Sequence, residues 1–277
     1  MSKLARRLGP IVLAGLLLAA LAPVATAADD LTVEQAEAKV ATLLNDQRLD
    51  VGRIVLRIDP RLSAIARARS EDMAAKGYFS HQQPDGDWAW DLMSAAGIKW
   101  YGAGEIIAWN TWGTLAESAT SASRQWHDSS GHYALLTSAN YNYLGVGLAF
   151  DDAGKKLWTV VFMKGPDRTG AKARFRTSST TAADTLSTAS TSTIRKDVTI
   201  KWTGGDVRLQ VLTAGLKYYQ VQIRRAGVYD WRDTKSATTR TSMVRTLRKG
   251  RVYQFRIRAK DRAGNYGRWS ETLWIRP

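Results

Sequence analysis

Cysteine is absent from the 277-residue chain. No disulfide holds it together, so each folded unit has to be stabilised by burial alone. That favours units of about 80 residues or more over miniature scaffolds. Histidine is scarce: the chain has only His81, His127 and His132, which confines any imidazole chemistry to three positions. Long apolar runs are also missing. The one conspicuous stretch, residues 11–21, falls well short of the roughly 20 residues that cross a bilayer, so no transmembrane segment is expected in the mature chain. It follows Lys3, Arg6 and Arg7 and precedes Pro23 and Ala25-Thr26-Ala27. That order is expected of a Sec-type signal peptide over residues 1–28. With no cysteine after the run, a lipoprotein anchor is excluded, and the mature chain is expected to be secreted. A cysteine-free exported chain fits a bacterial source.

Acidic residues thin out toward the C-terminus. Residues 1–194 hold 20 Lys+Arg against 19 Asp+Glu, a net of +1; residues 195–277 hold 20 against 6, a net of +14. The overall charge of +15 is therefore a property of the last 83 residues. Such a field attracts polyanions by counterion release and long-range steering; solubility alone is the competing explanation.

What is plentiful is aromatic: 11 tryptophans and 10 tyrosines supply large buried areas per residue. The hydrophobic periodicity divides the chain. Thr32-x-x-Gln35 reads as a capping box opening a helix with Val33, Ala36, Val40, Leu43 and Leu44 on one side. Asp59-Pro60 opens a second, whose stripe is Leu62, Ile65, Ala66, Arg69 and Met73 and whose stop is Gly77. A short helix is expected over about 88–96, ended by Gly97, and Thr114-x-x-Glu117 caps another. Residues 144–150 and 157–163 alternate as strands joined by an Asp151-Asp152-Ala153-Gly154 turn. Residues 166–195, rich in Ser, Thr and Ala, read as a linker between two domains, 29–165 and 196–277.

The first domain carries five spaced blocks. They are Leu44-Asn45-x-x-Arg48 with Leu62-x-x-x-Ala66-x-x-x-Ser70-x-Asp72-Met73; Tyr78-Phe79-Ser80-His81 with Pro84-Asp85-Gly86; Gly104-Glu105-Ile106-Ile107-Ala108; Trp126-x-x-Ser129-x-Gly131-His132; and Leu144-Gly145-Val146-Gly147. In these blocks the domain resembles the CAP superfamily (cysteine-rich secretory, antigen 5 and pathogenesis-related proteins) in its bacterial form. The resemblance implies an α+β fold, an α-β-α sandwich with a solvent-facing cleft. It also implies cleft residues His81, Glu105 and His132, which in some relatives help bind a divalent cation. Three such ligands with an open position suit zinc. The second acidic residue of the family pattern has no clear counterpart; Asp128 is near in sequence but falls at a turn position. The competing explanation is that these side chains hydrogen-bond loop backbones and hold the cleft in shape. His127 is expected at a helix end, where a cation suits the dipole.

After residue 195 the period falls to two. Residues 198–202, 219–223, 253–259 and 269–275 read as strands, and the whole as an all-β sandwich. Trp202, Tyr219-x-Val221, the block from Gly250 through Tyr253 and Asp261 to Asn265, and Trp269-Ser270 make it resemble a fibronectin type III module, with its first strand poorly represented. Period two places Arg256, Arg258 and Lys260 on one face, an expected contact for an anionic cell-wall polymer or other polyanion. The expected function is a secreted, cell-wall-associated or free, non-enzymatic binding protein with a small apolar or peptide ligand. The alternatives are a metal-dependent hydrolase acting on peptides or wall material, and a lipid carrier.

Overall fold

The computed structural model describes residues 30–176 and 194–277. The expected signal peptide over 1–28 lies outside the described residues.

The N-terminal part is three layers. Its middle layer is a four-stranded sheet ordered β1-β3-β4-β2, from β1 (Arg57–Ile58), β2 (Gly102–Asn110), β3 (Tyr143–Phe150) and β4 (Lys156–Lys164). Only β1 runs parallel to its neighbour. The β3–β4 hairpin turns at Gly154, with φ 77° and its N–H on the Asp151 carbonyl. Both faces of the strands are covered, and alternate residues face opposite layers. Ile106, Ala108, Leu144, Val146, Leu148, Trp158, Val160 and Phe162 pack against α1 (Val33–Asp50) and α4 (Leu115–Asp128). Tyr143, Val161 and Met163 pack on the other side against Leu62 and Ala66 of α2 (Pro60–Lys76) and Met93 of α3 (Ala89–Ala95). A seven-residue α5 (Ser130–Leu136) follows α4 directly.

The caps behave as the sequence reading expects. Thr32 and Thr114 close capping boxes with Gln35 and Glu117, Asp59 accepts from Arg61 N–H, and Gly77 ends α2 at φ 67°. The glycines of β3 answer a different need. A Cβ on Gly145 would stand 2.2 Å from the Leu62 carbonyl carbon, and one on Gly147 2.1 Å from Arg67 N. Only glycine lets α2 lie directly on the strand backbone. Ser70 ties the contact, its Oγ donating to Gly147 O at 3.2 Å and bonding Thr159 Oγ1 at 2.9 Å.

Asn45 and Arg48 of the first block hold chain segments in place. Asn45 brackets Leu56 through both backbone groups. Arg48 is fully buried and donates to the carbonyls of Ile54, Leu136 and Ser138, and burial, then the nearby Arg53 charge, pushes its pKa down to about 10.

Among the described residues the C-terminal part has seven strands: β5 (Lys172–Phe175), β6 (Arg195–Gly205), β7 (Leu216–Arg225), β8 (Arg232–Thr238), β9 (Ser242–Arg248), β10 (Tyr253–Asp261) and β11 (Leu273–Ile275). They form sheets ordered β5-β6-β9 and β11-β10-β7-β8. Ile200 and Trp202 from one sheet share a core with Tyr219, Val221, Phe255, Ile257 and Ile275 from the other.

The expected linker over 166–195 needs correction. Ala171 is fully buried, and Lys172–Phe175 form β5, paired antiparallel with residues 202–205 of β6. The Ser/Thr/Ala-rich residues 177–193 lie outside the described residues; in the chain they connect two strands of one sheet rather than two domains. A four-residue strand with two charges and two apolar groups is too short for its period to be read. The junction itself is packed. Leu209, from the β6–β7 connection, is buried with Tyr143, Val161 and Met163, while Gln210 Oε1 accepts from Ile54 N and Val211 O from Asn142 Nδ2.

Candidate functional site

Arg69 sits in the apolar stripe of α2, and a charge placed there needs a partner. Glu105, pointing to the same side from β2, supplies it. Arg69 Nε donates to Glu105 Oε2 at 3.1 Å, with side-chain exposures of 0% and 2%. Burial opposes the guanidinium charge, but the Glu105 charge and the hydrogen bonds to Glu105 and Tyr78 outweigh it and hold its pKa above the ordinary value. The remaining donors staple the loop after Gly77: to Tyr78 Oη at 2.7 Å, Ser80 O at 2.7 Å and His81 O at 3.0 Å. Tyr78 in turn donates to Asp72 Oδ2 at 2.5 Å, and burial followed by that bond pushes its pKa up to about 12.

His81 is thus held at both ends. Its carbonyl faces Arg69, and its ring Nδ1 lies 2.9 Å from Glu105 Oε1. A carboxylate paired with Arg69 is an acceptor, so Nδ1 presents a proton to it and Nε2 is the ring nitrogen that Glu105 does not engage. His132, in the first turn of α5, stands across from it with ring centroids 6.5 Å apart and planes tilted by 54°. Burial, then the neighbouring His81, lowers the His132 pKa. Both imidazoles line an open cleft of about 460 Å³ with Phe79, Ser80, Gln82, Trp88 and Ile107. Trp126 lies behind it, fully buried with Nε1 on Ile107 O at 2.9 Å.

The structure places His81 between Glu105 and His132, but Glu105 is buried beneath the cleft rather than lining it, and the three are not a set of free ligands. Both Glu105 oxygens are engaged, one of them by a buried guanidinium. A divalent cation would have to displace those partners beside a fixed positive charge. As placed, the donor set does not fit a three-ligand zinc site. His127 and Asp128 bond each other at 3.0 Å and are exposed at the end of α4; neither lines the cleft. Arg69 was visible in the sequence only as a charge inside an apolar stripe. That is a signal of a buried ion pair, but it does not say with whom.

Among the described residues, one acidic or histidine group has ligand atoms all within 4.8 Å: Asp167, Asp206 and Asp261. Amide donors account for it. Asp167 accepts from Thr169 N and Ala214 N, Asp206 from Val207 N and Gly215 N, and Asp261 from Asn265 N and Nδ2.

In the C-terminal part, Arg256, Arg258 and Lys260 do share one face of β10, and that face is already packed. Arg256 lies between Trp231 and Trp269, 4.4 and 4.3 Å from the ring centroids. Arg258 lies 4.5 Å from Trp269 and 4.1 Å from Tyr266, and Lys260 4.5 Å from Tyr266. Gln222 and Gln220 accept the in-plane N–H groups of the two arginines at 2.7–2.9 Å. Trp231 lies 25 positions from Arg256, and the rings of Tyr266 and Trp269 come from the loop after β10, so strand periodicity did not reveal this ladder.

Residues 42–162 match the model of the cysteine-rich secretory protein family, CAP. Two proteins of Bacillus subtilis strain 168 are similar to it. One is the uncharacterized protein YkwD, 35% identical over 132 residues, 48% of this chain and 48% of that protein. The other is the uncharacterized membrane protein YlbC, 30% identical over 128 residues, 46% of this chain and 34% of that one. The chain thus spans about half or less of the length of these curated relatives. Among solved structures, an extracellular protein containing an SCP domain from Bacillus anthracis aligns with 26% identity and a TM-score of 0.41, covering 50% of this chain and 45% of that one. No helix among the described residues is long and apolar enough to cross a membrane.

Proposed function

We propose that this is a secreted bacterial CAP-domain protein whose cleft binds a small apolar or peptide ligand without converting it. The observation that carries the reading is the state of Glu105. Its carboxylate is consumed in fixing Arg69 and His81, which leaves two imidazoles on the rim of an aromatic-walled hollow. Such a site offers shape, apolar surface and two polar anchor points. Among the described residues no serine or threonine hydroxyl bonds either imidazole, and Ser80 Oγ accepts instead from Gln82 N at 3.2 Å. A nucleophile–base pair of that kind is therefore not assembled.

One observation favours a second reading. A carboxylate that fixes an imidazole by Nδ1 leaves Nε2 as a candidate general base, so hydrolysis of peptide or wall material is the alternative. Export rests on the signal-peptide pattern of residues 1–28. The fibronectin type III reading of the C-terminal part is supported by its seven strands in sheets of three and four and by a shared Trp202–Tyr219 core.

Equilibrium titration of the full mature chain with a dansyl-labelled fatty acid and a dansyl-labelled apolar peptide tests the proposal. Saturable binding of either, lost in a cleft-filling His132→Trp variant and leaving the probe chemically intact, is expected. Cleavage of the peptide by wild type and its loss in His81→Ala would transfer the assignment to the hydrolase.

A further inference from the structure

The ladder on β10 raises the question of which cations remain free to meet a polyanion. An open groove of about 800 Å³ runs between β5 and residues 266–270. Lys172, Arg174 and Arg268 line it, and no Asp or Glu does. Lys172 and Arg174 are two apart on β5 and so share its outward face, with Ala173 turned to the core. All three cations are exposed, and none makes an ion pair among the described residues. Three unpaired charges around one concavity repel one another and are relieved by an anion.

The groove is built rather than incidental. A Cβ on Gly267 would stand 1.8 Å from Ala171 O, one on Gly170 2.3 Å from Tyr266 O, and one on Gly204 2.3 Å from Lys172 O. Its floor is therefore backbone pressed on backbone. Its wall is Trp269, whose ring is held by Arg256 and Arg258. Two kinds of polyanion are disfavoured by the same geometry. Single-stranded nucleic acid binds by stacking bases on aromatic faces, and guanidinium and ammonium groups already lie over Trp269 and Tyr266. An acidic peptide adding a strand to the edge of β5 has to pass Tyr266 and Gly267, which press on Gly170 and Ala171 just before that strand.

We propose that this groove binds an anionic glycan, whose acid groups meet Lys172, Arg174 and Arg268 at the rim. The inference deepens the polyanion expectation for the C-terminal part and moves its contacts off Arg256, Arg258 and Lys260; it is independent of what the CAP cleft holds.

The test is fluorescence anisotropy of a labelled short oligogalacturonate with the full mature chain, across a salt series. A Lys172→Gln/Arg174→Gln/Arg268→Gln variant is compared with an Arg232→Gln/Lys235→Gln/Arg245→Gln variant, which loses the same charge from exposed positions elsewhere. The groove variant should weaken binding by about tenfold or more and flatten the salt dependence, while the control stays within about twofold of wild type. Equal losses in the two variants would assign the affinity to diffuse charge and overturn the proposal. So would the absence of wild-type binding, or equally tight groove-dependent binding of an oligoglutamate of matched charge.

Discussion

Arg69 and Glu105 form a buried ion pair, 3.1 Å from Nε to Oε2, that joins α2 to β2 at the base of the cleft. The pair does structural and positional duty at once. Through its other donors Arg69 fixes the carbonyls of Ser80 and His81, and through its other oxygen Glu105 fixes the His81 ring.

Removing one partner leaves an uncompensated charge in the interior. Glu105→Ala is expected to lower stability by about 3–5 kcal/mol, and the double change Glu105→Ala/Arg69→Met to recover part of that loss. Urea denaturation of the two single variants and the double variant checks this. A Glu105→Ala loss under about 1 kcal/mol would contradict the buried pairing.

His132 makes the fold sensitive to acid. Its folded pKa lies below the ordinary 6.5, so the unfolded chain takes up the proton first as pH falls. Its contribution is therefore fully present above about 6.5 and is lost as pH drops through the folded value. His132→Gln should narrow the gap between the urea midpoints at about pH 8 and about pH 5. An NMR titration should place the His132 midpoint below the ordinary imidazole value.

Gly131 and Gly147 should respond oppositely to alanine. Gly147→Ala forces a methyl into the Arg67 backbone and is expected to cost on the order of 3 kcal/mol or to abolish folding. At Gly131, within α5, the added Cβ meets nothing within 4 Å. There alanine should raise stability by about 0.5–1 kcal/mol. Thermal midpoints of the two variants give the comparison.

The docking of the C-terminal part depends on Leu209, which is 2% exposed against Tyr143 and Met163. Leu209→Ala should cost about 2–5 kcal/mol at the junction. Wild type is expected to melt in one calorimetric transition and the variant in two. Two transitions in wild type would show that the junction does not couple the parts.

Much of the fold is legible in the chain because local chemistry decides it. Thr32, Asp59, Gly77, Thr114 and Gly154 mark element ends through caps and turns that need no distant partner. The β3–β4 hairpin follows from alternation across a short turn. β2 and α5 were harder to read. β2 is buried on both faces, so its apolar run lacks alternation, and α5 has only seven residues.

The candidate site divides in the same way. His81, Glu105 and His132 can be named from their blocks, but not what each one faces. Arg69 lies 36 positions from Glu105, and Trp231 lies 25 from Arg256. Such partners are chosen by packing across layers, on which one residue's neighbours in the chain carry no information.

What the sequence alone determined is where elements begin and end, that residues 42–162 match the CAP family model, and where the positive charge is concentrated. What only the tertiary structure decided is which charges are spent. Glu105 goes to Arg69 and His81, Arg256 and Arg258 go to aromatic rings, and Lys172, Arg174 and Arg268 are left facing solvent. A charge is attracted or satisfied by whatever lies within a few ångströms in space, and that distance is set by folding rather than by order along the chain.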